Sequence, residues 1–175
     1  MAALAARRVF GDEDRTLSEV CRRSQAAEFY TWEDFVLVCQ WAKATKYSVF
    51  NSAQAIERES RVAFSTNSER ERIGALMRLS GVWWLTASIL LHFMFEDQYP
   101  TLARGALWSW GFDEKPDVNF EFWWAYVEAC RTLASECRVN MRDLDRALRQ
   151  FTTEQQGQHQ PRPGTSRSGS AFMGC

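Results

Sequence analysis

Lysine is nearly missing from this chain of 175 residues: three lysines stand beside eighteen arginines, and the formal net charge is −1. General nucleic-acid binders gain affinity by neutralising phosphates with a basic surface, so a near-neutral chain has to rely on local patches. Arginine, the better bidentate phosphate ligand, is the residue available for them. Histidine is scarcer still, with only His92 and His159. No His, Cys and carboxylate grouping has zinc-ligand spacing, and no metal or other cofactor is expected. A Gly-rich phosphate loop is also missing, because Ser80-Gly81 and Arg104-Gly105 are isolated glycines. The apolar run from Val82 to Phe95 spans 14 residues. About 20 are needed to cross a bilayer, so no membrane span is expected. The opening Met-Ala-Ala-Leu-Ala-Ala-Arg-Arg places its charges after a very short apolar run, unlike a secretory signal. The five cysteines are odd in number and scattered, which predicts free thiols in a reducing compartment and a cytoplasmic protein. Sustained period-2 alternation and internal repeats are absent.

What is present is 46% hydrophobic and 25% charged residues, the balance of a soluble globular domain, with 14% aromatics including eight tryptophans. The periodicity is helical throughout, so the fold class is all-α. Residues 1–15 read as a loosely ordered N-terminal arm, 16–154 as one helical domain, and 155–175, rich in Gln, Gly, Ser and Pro, as a disordered tail. Thr16 with Glu19 can cap a short helix. Thr31 caps a second, with Tyr30 and Phe35 as a hydrophobic staple. A third runs from Val49 or Asn51 to Phe64. Phe112 to Asn119 is a loop, a long helix covers about Phe120 to Arg138, and Asn140 caps a last helix through Phe151.

The chain is organised around Ser68 to Trp110. Ser68 and Glu71 have capping-box spacing, and Ile73, Leu76, Met77 and Leu79 fall near one helix face. Gly81 can end that helix in a left-handed turn. A second helix follows almost at once, with Leu85, Ile89 and Phe93 on one side. Two helices joined so tightly form a helical hairpin, and backbone N–H groups at such a turn can bind a phosphate.

Leu79-Ser80-Gly81-Val82-Trp83-Trp84-Leu85-Thr86-Ala87 resembles the helix-hairpin-helix of base-excision DNA glycosylases, whose pattern is Leu-Pro-Gly-Val-Gly-x-x-Thr-Ala. The run Gly-Val…Ala-Ser-Ile-Leu-Leu-His-Phe…Tyr-Pro…Arg-Gly-Ala-Leu-Trp-Ser is similar to uncharacterised bacterial helical proteins with a related hairpin. Phe-Trp-Trp-Ala-Tyr-Val and Arg-Asp-Leu-Asp-Arg-Ala-Leu fit the same group. The resemblance covers roughly Thr31 to Phe151. It implies a bilobal helical bundle with a central helix-hairpin-helix, DNA as partner, and hydrolysis of an N-glycosidic bond as the ancestral reaction. The DNA interface it implies comprises Ser80, Gly81, Val82, Trp83 and Thr86, with Arg78 and Arg104.

The departures fall at the chemistry. Trp83 replaces the hairpin's second glycine and would crowd a phosphate. Leu85 stands where bifunctional glycosylases carry a lysine nucleophile. The glycosylase aspartate lies 18 positions further on, at Ala103. Leucine and alanine can neither attack a sugar nor stabilise an oxocarbenium ion, so no catalytic residue is assigned. Glu96, Asp97, Asp113 and Glu114 flank the implied cleft, where a carboxylate can act as a displaced base, although solvated charges are the simpler reading. His92, on an apolar helix, reads as a core imidazole. Cys130 and Cys137 have the first spacing of a glycosylase iron–sulfur loop, but the two further cysteines do not follow. Arg142, Arg146 and Arg149 form a helical stripe, and Arg70, Arg72 and Arg78 precede the hairpin. Trp84 and Trp108 are expected to fill the groove between lobes, and Trp83 to be the informative one. The sequence thus supports a DNA-binding protein without the usual catalytic groups. A non-catalytic protein-interaction module on the same scaffold is the alternative, and a small-molecule enzyme using the interlobe aromatic cleft a third reading. A positive ridge along Ser80–Thr86 would favour DNA, and a neutral apolar patch there a protein.

Overall fold

The computed structural model describes residues 12–44, 50–95, 97–112 and 116–158, with side chains between 16 and 155. It contains α1 (Asp12–Ala27), α2 (Trp32–Trp41), α3 (Ala53–Ser65), α4 (Glu69–Met77), α5 (Trp84–Met94), α6 (Arg104–Ser109), α7 (Phe120–Cys137) and α8 (Met141–Gln158). No strand occurs among the described residues, so the class is all-α.

Local capping chemistry sets most of the boundaries. Thr31 Oγ1 accepts from Asp34 N at 3.2 Å, Ser52 Oγ from Ala55 N at 3.2 Å, and Ser68 Oγ from Glu71 N at 3.3 Å. Asn119 and Asn140 do the same for α7 and α8, accepting from Phe122 N at 2.9 Å and Asp143 N at 2.7 Å. Each side chain satisfies an N–H that the first helical turn leaves without a partner. Two expected boundaries are corrected. Helix α1 starts at Asp12, so Thr16 lies inside it and residues 12–15 are helical rather than loose. Helix α8 continues to Gln158, past the expected domain end at 154. Residues 1–11 and 159–175 lie outside the described residues.

The centre is α5. Thr86 to Met94 are all buried, because α1, α2 and α4 pack around it. A helix apolar on every side is a core helix, and this explains a run too short for a membrane. Around α5, one cluster gathers Tyr30, Phe35, Ile56, Ile73, Leu76, Leu90, Met94, Tyr99 and Trp123. Trp123 is fully buried and stacks on Tyr99 with ring centroids 6.0 Å apart and planes 9° apart. A second, smaller cluster joins α6, the distal part of α7 and α8 through Leu102, Ala106, Tyr126, Met141, Leu144 and Leu148. Trp84 packs against both clusters, as expected of a groove filler. The chain crosses between the clusters through Tyr99–Ala103.

Candidate functional site

Helices α4 and α5 pack against each other, and the link from Arg78 to Trp83 turns back at Gly81, whose φ is 77°. That value lies in the left-handed region, which glycine enters without a Cβ penalty. Helix α4 itself ends earlier than expected, at Met77, with Arg78 as its C-cap. Asn51 fastens the turn from outside: its Oδ1 accepts from Ser80 N at 2.8 Å and its Nδ2 donates to Ser80 O at 2.9 Å. Val82 N donates to Leu79 O, whereas the amides of Gly81, Trp83, Trp84, Leu85 and Thr86 have no backbone partner among the described residues. These amides sit at the positive end of the α5 dipole.

Side chains at this turn divide sharply. Ser80, Gly81 and Trp83 are exposed, whereas Val82 and Thr86 are buried and offer a partner no side chain. Trp83 is 73% exposed and Phe50, next to the Asn51 clamp, is 74% exposed. Trp83 is the N-cap of α5 at φ −112° and ψ 179°, an extended geometry open to any residue, so the lost glycine costs no backbone strain here.

The arginines before the turn are committed elsewhere. Arg78 Nε donates to Glu59 Oε2 at 2.7 Å and its Nη2 to Glu71 Oε1 at 3.0 Å. Burial pushes the Glu59 carboxyl up, but hydrogen bonds from Arg78 and Arg58 outweigh it and hold it below the usual carboxylate range. Arg72 is buried and donates to the carbonyls of Ala63 and Thr66 at the end of α3. Arg70 pairs with Glu121 at 2.6 Å. The turn therefore carries an apolar, electrically balanced surface instead of a basic ridge.

Beside it lies a cleft of about 740 Å³ between the two core clusters. Leu85 from the first turn of α5 and Ala103 from the N-cap of α6 both line it, so residues 85 and 103 meet across one space. Leu17, Leu37, Trp41 and Ile89 supply an apolar wall, and Lys43, Arg104 and Arg149 the charge. No carboxylate belongs to its described lining. Arg104, placed by sequence with the hairpin, is a lining residue of the cleft, contributed by α6. Lys43 was not singled out from sequence. It is held at φ 55° by a helix-end motif in which Ala44 N donates to Cys39 O at 2.9 Å and Lys43 N to Gln40 O at 3.0 Å.

Arg149 is set by a buried node under the crossing segment. Its Nη2 donates to Thr101 Oγ1 at 2.8 Å, and its Nε lies 2.9 Å from Asp145 Oδ2 without hydrogen-bond alignment. Asp145 Oδ1 accepts from the Thr101 amide at 3.2 Å and from the Thr101 hydroxyl. Tyr126 OH donates to Thr101 O at 3.1 Å. His92 Nδ1 lies 2.7 Å from Tyr99 O, which requires the Nδ1–H tautomer. Burial lowers its pKa, the Asp145 charge opposes this, and Arg142 and Arg149 add to it. His92 is thus a satisfied core imidazole. Arg142 and Arg146, read as part of a stripe, contact Ser18 and Asp143 respectively, and Arg149 alone of the three lines the cleft.

The remaining candidates separate from the cleft. Asp97 is exposed and does not line it, and Glu96, Asp113 and Glu114 lie outside the described residues. Burial pushes the Cys130 thiol up to about 12, so it stays protonated and inert at neutral pH. Among the described residues no group of His, Cys, Asp and Glu could hold a metal ion, and no helix is long and apolar enough to cross a membrane. Comparison of the chain with protein-family models, curated proteins and solved structures returns no match.

Proposed function

We propose that this protein is a non-catalytic interaction module on a glycosylase-like helical scaffold, docking a protein partner through the aromatic face of the α4–α5 turn. The observation that carries the reading is the surface chemistry there: Trp83 and Phe50 stand exposed, while Arg78 is neutralised by Glu59 and Glu71. Exposed aromatics ringed by polar groups are how protein hot spots are built. Leu85 and Ala103 sharing one cleft with no described carboxylate speaks against base excision, because nothing in that lining can stabilise a sugar cation.

A second reading, DNA binding without catalysis, is favoured by the unpartnered amides of Gly81 and Trp83–Thr86 at a helix N-terminus. Trp83 would then stack on an unpaired base. Photo-crosslinking from position 83 in the source cells separates the two. The protein reading expects a discrete, nuclease-resistant adduct that Phe50→Glu abolishes. A monomer without adduct refutes it. Fluorescence anisotropy with a short duplex and a single strand at roughly 50 mM salt tests the other reading. Binding that weakens with salt and requires Trp83 would put DNA first.

A further inference from the structure

We propose that the cleft is a binding site for a free amphipathic organic anion, an aromatic or aliphatic molecule ending in a carboxylate or phosphate. This goes beyond the docking role of the turn and does not depend on it. The cleft has the size of small-molecule sites, about 740 Å³ against a usual range of roughly 300–1,000 Å³. Its walls divide by chemistry. Leu17, Leu37, Leu85 and Ile89, with the Trp41 ring, present apolar surface; Lys43, Arg104 and Arg149 present cations.

The charge balance of the lining selects the sign of the ligand. Asp145 offsets Arg149, whereas Lys43 and Arg104 have no ion-pair partner among the described residues, and no described lining residue is acidic. On a chain of net charge −1, cations gathered without acids mark a local departure from the whole. Arg149 adds direction. Its Cζ lies 4.8 Å from the Trp41 ring centroid, its Nη2 is held by Thr101, and Asp145 sits against Nε. The outer nitrogen Nη1 makes no hydrogen bond among the described residues. A guanidinium fixed along one edge and free at the other is preorganised for an oxyanion, because little further side-chain ordering is required. An anion seated there leaves the ligand's apolar body against Leu85, Ile89 and Trp41.

Anilinonaphthalene sulfonate is the reporting probe, with decanoate as competitor, decanol as the uncharged control and a short single-stranded oligonucleotide as the polymeric anion. Decanoate should displace the probe at concentrations at least tenfold below those needed for decanol, and the oligonucleotide should not displace it. K43E/R104E, a change at two exposed residues, should weaken probe and decanoate at least tenfold with an unchanged circular-dichroism spectrum. L85D should do the same by placing a carboxylate in the cleft. Equal displacement by decanol overturns the proposal, as does displacement by the oligonucleotide. Binding that survives K43E/R104E but disappears in W83A also overturns it, since the probe would then sit on the turn.

Discussion

Replacing Asp145 by alanine tests whether the buried node under the Tyr99–Ala103 crossing holds the two clusters together. Asp145 is 5% exposed and Thr101 fully buried. Without the carboxylate, the Thr101 amide loses its acceptor and the Arg149 guanidinium loses its counter-charge in a low-dielectric setting. Removing one member of a buried pair costs about 3–5 kcal/mol, because the other charge is left uncompensated. Arg149 retains 19% side-chain exposure toward the cleft, which places the expected loss near the lower end of that range, about 3 kcal/mol. Asp145→Asn keeps an oxygen for Thr101 and removes only the charge. The Arg149 charge is left uncompensated in both variants, so this one should be more stable than Asp145→Ala by only the retained Thr101 hydrogen bond, about 1 kcal/mol. The double variant Asp145→Ala with Arg149→Met removes the stranded cation and should recover part of the loss. Urea unfolding at pH 7, with a common slope across the series, measures all three. A loss below ~1 kcal/mol for Asp145→Ala would refute the reasoning, as would a double variant less stable than the single one, since both imply an already hydrated node.

Two further outcomes follow from the same geometry. Because burial lowers the His92 pKa, the unfolded chain binds this proton first as pH falls below about 6.5, so stability should decline from there through the lowered folded pKa. His92→Gln should flatten that part of the stability profile between about pH 7 and 5.5, and an unchanged slope would show that His92 is not its source. Ala103→Asp places a carboxylate in the cleft that Leu85 also lines. The substitution should give little or no base release from uracil-containing DNA, because Arg78 remains held by Glu59 and no phosphate grip is restored; release within tenfold of a working glycosylase would overturn the assignment of the turn to a protein partner.

The parts of the fold legible in the sequence are those set by neighbours in the chain. Thr31, Ser68 and Asn140 act on amides three residues away, so spacing alone locates the starts of α2, α4 and α8. Gly81 is legible because a tight turn needs a left-handed residue and glycine supplies it. The start of α1 is readable but easily misread: Asp12-Glu13-Asp14 is a favourable first turn for a helix dipole, not a mark of a loose arm. The cleft is only half legible. The resemblance brings residues 85 and 103 together, but nothing in it joins Lys43 and Arg149 to them. Its lining comes from α1, α2, α5, α6 and α8, and no local pattern records that convergence. Nor does local sequence reveal which arginines are free. Arg78 finds Glu59 across 19 positions and Arg70 finds Glu121 across 51.

Those distant pairings decide what each surface can bind. A phosphate approaching the α5 N-terminus would meet Glu71 and Glu59 as well as Arg78. Drawing Arg78 away would leave Glu59, which is 5% exposed, with Arg58 as its one remaining charge partner among the described residues. The loss of that charge-assisted hydrogen bond, about 1.5–3 kcal/mol, would oppose whatever the phosphate's new hydrogen bonds contribute. The cleft presents the opposite case. Asp145, the acid paired with the lining Arg149, is already engaged by Thr101 and Arg149, so an incoming anion at Lys43 and Arg104 need break no internal ion pair among the described residues. On the proposals above, the turn suits interactions that do not require a free cation, and the cleft one that does. Glu59→Gln with Glu71→Gln releases Arg78 without removing its packing. If charge commitment is what keeps phosphate off the turn, this double change should raise affinity for a short duplex at low salt while leaving decanoate binding in the cleft unaltered.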